Sequence, residues 1–200
     1  MLIQELRGRN SIRGLEAFIE AWSNEIPYPE NIKEARLARS KYGNLNAGGI
    51  PAGLYAPALS KWHPRFLSCI EYRVQPLVGA LTDIAGLMTY TSCEGHAYPS
   101  TLGGGVELHV GVLPRNQREY LEVKELLWSL VRSRTEGQSS AAYPTVAHGH
   151  LQDEDSSRSV EVLDLYVLRR TGTSWEKYFA ALELETNALV QELRNILSEK

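Results

Sequence analysis

The sequence predicts an α+β fold in which a mainly antiparallel sheet of about four strands carries helices on one face. Two patterns support this. Apolar residues recur at three- and four-residue spacing in some segments and at two-residue spacing in others, as expected for helices and strands respectively. From position 87 onward the predicted order is strand, strand, helix, strand, strand, helix, after helices at the N-terminal end. Repeated strand-strand-helix units favour antiparallel neighbours with helices packed on the sheet. With 200 residues, 43% of them hydrophobic, we expect one domain over residues 1–200 with its own core.

Residues 1–61 are expected to form a helical N-terminal segment with a long loop rich in glycine and proline. Ser11 can cap a first helix, which Ile26-Pro27-Tyr28-Pro29 would end. A second, short helix is predicted from about Ile32 to Ser40. The segment from Tyr42 to Lys61 contains Gly48 to Gly53 and reads either as a lid over a binding site or as a packed surface loop.

Residues 62–200 are expected to form the helix and sheet core. The apolar residues between Pro64 and Ala85 have helical spacing, and Pro64 suits a first turn. Pro76 lies inside this segment and should kink or divide the helix, because proline cannot donate an intrahelical hydrogen bond.

Four strands and two further helices complete the predicted core. The strands are expected at residues 87–91, 106–113, 143–150 and 160–168. Asn116 followed by Glu119, and Thr173 followed by Glu176, are capping-box patterns that mark the start of two amphipathic helices.

Composition narrows the classes of protein to be considered. No apolar segment approaches the roughly 20 residues of a membrane helix, and the first residues lack the layout of a signal peptide. Cys69 and Cys93 are too few for a disulfide framework, so we expect reduced thiols in a cytoplasmic protein. The formal net charge of -3 does not favour nucleic-acid binding. One basic stretch is either a solvated surface or a site for an anionic or other small ligand, and it comprises Lys33, Arg36, Arg39, Lys41, Lys61, Arg65 and Arg73.

Polar side chains alternate with apolar ones along the predicted strands. Since alternate residues of a strand share a face, each strand would present a polar pair to one side of the sheet. These pairs are Glu107 with His109, His148 with His150, and Asp164 with Tyr166. If the polar faces coincide, they lie beside the turn from Cys93 to His96 and bring four of the five histidines together.

Such a cluster suggests a site for zinc or another divalent transition metal. Cysteine thiolate and histidine imidazole are the ligands these ions prefer, and a catalytic zinc has three protein ligands and a water. The candidate ligands are Cys93, His96, His109, His148 and His150. An exposed polar face at His148 and His150, and a structural role for His109, are the alternatives.

Cys93 is also a candidate nucleophile. It lies near the end of a predicted strand, and His96 or His109 would be its base. Glu94 and Asp164 are candidate acid-base groups that would carry protons in the same site. The alternative is a small buried thiol without chemistry.

A short motif gives a resemblance that covers about a sixth of the chain. The segment from Leu77 to Val110 contains Ser92-Cys93-Glu94-Gly95-His96, and it resembles small uncharacterised bacterial and phage proteins with a Ser-Cys-x-Gly-His signature. It is more faintly similar to the wybutosine-synthesis methyltransferases, which have a serine-cysteine turn in a comparable place. The first resemblance implies a site at Cys93 to His96 without implying a reaction.

Together these observations favour a small soluble enzyme, a metal-assisted or Cys/His-dependent hydrolase with its site at Cys93 to His96. The alternatives are a non-catalytic module that uses the same sheet face to bind a partner or nucleic acid, and a structural protein with scattered histidines.

Overall fold

The computed structural model of the chain describes residues 10–29, 39–40, 43–44, 58–97, 105–135 and 141–199. For residues 39–40 and 43–44 it describes only the backbone. Most of the predicted helix over 32–40 and the whole Gly48 to Gly53 loop lie outside these residues. So do Lys33, Arg36 and Lys41 of the basic stretch.

The described residues contain nine strands and five α-helices. In chain order the strands are β1 (Ser11–Ile12), β2 (Arg39–Ser40), β3 (Gly43–Asn44), β4 (Thr89–Cys93), β5 (His96–Ala97), β6 (Gly105–Val106), β7 (Leu108–Val112), β8 (Ala142–Asp153) and β9 (Ser159–Arg169). The helices are α1 (Leu15–Ser23), α2 (Phe66–Cys69), α3 (Gln75–Gly79), α4 (Gln117–Thr135) and α5 (Trp175–Ser198).

The main sheet has five strands in the order β1, β8, β9, β7, β4. Strand β1 runs parallel to β8, whereas every other neighbouring pair is antiparallel. The predicted α+β class and the mainly antiparallel sheet are therefore confirmed. The fifth strand arises because Ser11 pairs with Gln152 instead of capping a helix, so α1 begins later, after Gly14.

A second, small sheet joins four two-residue strands in the order β2, β3, β5, β6. All of its pairs are antiparallel. His96 pairs with Gly43 on one side and with Val106 on the other, so its backbone lies within a strand where a turn was predicted. Arg39 and Ser40 form β2, which corrects the end of the helix predicted to run to Ser40.

The predicted helix from Pro64 to Ala85 is divided into three parts. Helix α2 ends at Cys69, Ile70 has an extended backbone, and α3 begins at Gln75 with Pro76 in its first turn. A π-helical turn over Ala80–Ile84 then leads towards β4. The division agrees with the prediction at Pro76, because a proline is tolerated in the first turn of a helix but not in its interior.

The two long helices begin almost where the capping patterns place them. Oδ1 of Asn116 accepts a hydrogen bond of 3.0 Å from the backbone N–H of Glu119, as predicted for α4. For α5 the cap is Ser174, whose Oγ accepts from the N–H of Lys177 at 3.3 Å, one residue beyond the predicted Thr173. No helix among the described residues combines the length and apolar character needed to cross a membrane.

Both long helices pack on the main sheet and contribute to one large apolar core. Inward residues of β7 and β9 are fully or almost fully buried against them, namely Leu108, Val110, Val112, Leu163, Leu165 and Val167. The hydroxyl of Tyr178 on α5 accepts a hydrogen bond from the N–H of Leu108 (2.8 Å) and donates one to the carbonyl of Val167 (2.7 Å). This buried hydroxyl joins the end of β7 to β9 and fixes α5 against the sheet.

Candidate functional site

The centre of the candidate site is the short connection between β4 and β5. Cys93 is the last residue of β4 and His96 is the first of β5, and Sγ of Cys93 lies 3.6 Å from Nδ1 of His96. Gly95 makes the turn with φ +78°, and its N–H donates to Sγ of Cys93 at 3.4 Å. A Cβ at Gly95 would lie 2.9 Å from the carbonyl oxygen of Val106, so both the backbone conformation and the space favour glycine.

The surroundings of Cys93 hold its side chain in the thiol form. Burial raises the pKa of the thiol well above its ordinary value, and the nearby carboxylates of Glu71 and Glu94 raise it further. The N–H of Gly95 opposes these effects only in part, by donating to the sulfur. A thiolate would therefore have to form at the moment of reaction, with a base to receive the proton.

His96 is available as that base. Burial lowers the pKa of its imidazole, although Glu71 and Glu94 act in the opposite direction. The ring is thus neutral at pH 7, and its Nδ1 is the nitrogen that faces the thiol. A neutral imidazole can accept a proton, which an imidazolium cannot.

Glu71 and Glu94 attach the loop after α2 to this connection. The backbone N–H of Glu94 donates to Oε2 of Glu71 at 2.6 Å, and the N–H of Arg73 donates to Oε2 of Glu94 at 3.0 Å. The guanidinium of Arg73 also lies 3.8 Å from Oε1 of Glu94. Glu94 is only 2% exposed and is therefore not a solvated side chain. Through these contacts it holds the turn in place.

His109 lies directly opposite Cys93 on β7 and shares its face of the sheet. It is buried, and its ring packs on that of Tyr166 with 5.3 Å between the ring centroids. Burial lowers the pKa of His109 to about 4, so its imidazole is neutral. Its Nδ1 is buried without a hydrogen-bond partner among the described residues.

Asp164 continues this row of polar side chains beyond Tyr166. Its fully buried carboxyl accepts hydrogen bonds from Tyr90 at 2.7 Å and from Tyr166 at 3.3 Å. Burial raises the pKa of Asp164 to about 6, and the two tyrosine hydroxyls act in the opposite direction. Gly111 gives the ring of Tyr90 its space, since a Cβ there would lie 2.5 Å from a ring carbon.

His148 and His150 do not join this group. The register places Thr145 opposite Tyr166, and Tyr166 opposite His109, so the odd-numbered residues of β8 share the face of His109. The two even-numbered histidines therefore point to the other face, and both are exposed. The expectation that all the polar faces coincide is wrong for β8, because alternation within one strand does not fix its register against the next.

The structure thus brings together Cys93, His96 and Glu94, with His109 across the strand, and it separates His148 and His150 from them. Within the described ranges, no group of three or more His, Cys, Asp or Glu side chains is arranged to hold a metal ion. Both cysteines are free, and Cys69 is partly buried against the core.

Sequence reasoning missed Glu71 as part of the site and considered Arg73 only as one of several basic residues. Both come from the loop between α2 and α3, which reaches the site through tertiary packing, more than 20 residues before Glu94. No local pattern marks them. The one available signal was Pro76, which predicts a break near this position and hence a loop with side chains free to reach another element.

Comparison of the chain with known protein families, with curated protein sequences and with solved structures found no match.

Proposed function

We propose that the protein is a small Cys/His-dependent hydrolase in which Cys93 is the nucleophile and His96 its general base. The observation that carries this proposal is the 3.6 Å approach of Sγ to Nδ1, between a protonated thiol and a neutral imidazole. An adjacent base is the usual means of activating a nucleophile that is weak in its resting state.

In the proposed reaction, Sγ of Cys93 attacks the carbonyl carbon of an acyl substrate while its proton passes to Nδ1 of His96. The imidazolium then returns that proton to the leaving group as the carbon–leaving-group bond breaks, which leaves a thioester on Cys93. Water hydrolyses the thioester with His96 again as base, and the thiol is restored. Glu71 acts on both partners of the first step, because its negative charge favours the imidazolium that forms on His96 and opposes loss of the proton from Cys93.

A second candidate is the metal-assisted version of the same site. A tetrahedral zinc binds sulfur at about 2.3 Å and nitrogen at about 2.0–2.1 Å, so a sulfur and a nitrogen ligand on the same ion lie about 3.6 Å apart. Sγ of Cys93 and Nδ1 of His96 have this separation. A zinc or other divalent transition metal would need a third ligand, and among the described residues no third His, Cys, Asp or Glu side chain is arranged with these two to hold a metal ion. Stoichiometric metal in protein purified without a metal-affinity tag, lost in His96→Ala, would favour this version over the first.

The thiol-based proposal is tested by acylation with p-nitrophenyl acetate, followed by mass spectrometry of the intact and digested chain. We expect one acetyl group on Cys93, none there in Cys93→Ala, and acylation at least about 100-fold slower in His96→Ala, since general-base catalysis contributes about 10²- to 10⁴-fold. Cys69→Ala is the matched control and should react like the unmodified protein. Acylation confined to Cys69, or a rate at Cys93 that does not depend on His96, would contradict the proposal.

A further inference from the structure

A pocket of about 410 Å³ shares Glu94 with the candidate site. It is lined by Arg73 and Glu94, which form an ion pair, by residues at the start of α3 and by one face of α5. Glu183, Thr186 and Asn187 share that face because residues three and four positions apart on a helix are neighbours. Nothing in the proposed hydrolysis uses these three residues.

The charges around the pocket select its ligand. Arg73 and Glu94 compensate each other, and the side chain of Arg73 is 27% exposed. Glu183 is exposed, and within the described part of the chain it forms no ion pair. The pocket therefore carries one uncompensated negative charge, so a cation is favoured there over an anion.

The apolar part of the lining suits an aliphatic chain that carries the cation. Tyr72, a residue that is 65% exposed, and Pro76 both contribute apolar atoms to the lining. A tyrosine face attracts an ammonium group, and methylene groups of a lysine-like chain cover apolar surface while the charged end stays in water. Asn187 is an exposed residue of the lining and can exchange hydrogen bonds with amide groups.

From this arrangement we infer that the pocket, in which Arg73 is already paired with Glu94, binds a primary amine on an aliphatic chain through Tyr72, Pro76, Glu183 and Asn187, with the lysine side chain of a peptide as the best fit. The ammonium group is held by Glu183 and the ring of Tyr72, and the flanking peptide amides meet Asn187. This inference goes beyond the proposed hydrolysis and does not depend on it, because no residue of the Cys93–His96 pair takes part in the binding.

The test is a titration of ¹⁵N-labelled Cys93→Ser protein, in which no acyl transfer through the thiol of Cys93 can occur. The probe is N-acetyl-L-lysine methylamide, and its control is the norleucine analogue, which has the same chain without the ammonium group. We expect the lysine compound to bind about tenfold more tightly, from one exposed ion pair and one cation–π contact. The amide signals that shift should belong to residues 72–75 and 183–187.

Two variants on α5 separate the pocket from general electrostatics. Glu183→Gln should abolish the preference for the lysine compound, whereas Glu176→Gln, an exposed glutamate of the same helix outside the pocket, should leave it unchanged. Cadaverine (1,5-diaminopentane) tests the source of the amine. If it binds as tightly as the lysine compound, the ligand is a free diamine, and if it binds more weakly, the ligand is a lysine side chain of a peptide. Equal binding of the lysine and norleucine compounds, shifts outside the pocket, or identical effects of the two variants would overturn the inference.

Discussion

The buried carboxyl of Asp164 makes a specific pH dependence of stability testable. Burial raises its pKa from an ordinary value of 3.8 to about 6, so the folded protein holds this proton more tightly than the unfolded chain does. The resulting stabilisation is complete below pH 3.8 and is lost as the pH rises to 6 and above. At about 1.4 kcal/mol per pH unit, the loss amounts to about 3 kcal/mol.

His109 acts in the opposite sense over nearly the same range. The pKa of His109 falls from 6.5 to about 4 on folding. Its contribution to the free energy of unfolding is therefore complete above pH 6.5 and is lost as the pH falls towards 4. This change is also about 3 kcal/mol, and the lowered pKa of His96 adds to it in the same direction. In the unmodified protein the two effects nearly cancel, so these groups should give a nearly flat profile between pH 4 and pH 6.

Asp164→Asn removes one of the two opposing effects. The amide fits the same space and can keep both tyrosine contacts if the hydroxyl of Tyr166 becomes the acceptor. We therefore expect the free energy of unfolding of the variant, relative to the unmodified protein, to rise by about 2 to 3 kcal/mol between pH 4 and pH 7.5. The absolute difference at pH 4 should be small, since a protonated carboxyl and an amide are similar in charge and size.

Urea denaturation followed by tryptophan fluorescence at pH 4, 5, 6 and 7.5 measures this difference. Asp155→Asn, at an exposed position in the β8–β9 turn, is the control and should leave the profile almost unchanged. Parallel profiles for Asp164→Asn and the unmodified protein would refute the reasoning, because they would mean that the carboxyl ionises alike in the folded and unfolded states.

Three further predictions concern packing, hydrogen bonding and reactivity. Gly111→Ala should lower the free energy of unfolding by about 1 to 3 kcal/mol, because the added methyl group would clash with a tyrosine ring. Gly79→Ala has open space around it and should be neutral or stabilising by up to about 1 kcal/mol. Chemical denaturation compares the two variants. Tyr178→Phe should cost about 1 to 3 kcal/mol in the same assay, because it leaves a buried strand N–H without its acceptor, and an unchanged midpoint would contradict that role. Iodoacetamide should alkylate Cys93 at pH 7.5 at least about tenfold more slowly than free cysteine, since the rate follows the thiolate population. Mass spectrometry measures the rate, with Cys69 as the internal reference. Rapid modification of Cys93 would show that its thiol is not held protonated.

Local signals in the sequence were enough for most of the fold. The capping pattern at Asn116 and Glu119 places the start of α4, and two-residue periodicity finds β7, β8 and β9 to within three residues at each end. The same alternation also predicts that Asp164 and Tyr166 share a face, which the register confirms.

What the sequence could not supply was the relation between elements. The parallel pairing of Ser11 with Gln152 joins segments about 140 residues apart, and nothing local marks it. The register of β8 depends on how its apolar residues meet the core, and a shift of one residue would have brought His148 to the face of His109. Glu71 reaches the site only through the packing of a loop, so its part in raising the pKa of Cys93 could not be predicted.

Cys93 and His96 are three residues apart in the chain, yet their backbones belong to different sheets. Cys93 is held by β7 of the main sheet, and His96 by β3 and β6 of the small one. The distance between thiol and imidazole therefore depends on the relative orientation of the two sheets, which are joined at Gly95. Any event that tilts the small sheet, such as a ligand pressing on β3 or β6, would open or close this gap without touching either side chain.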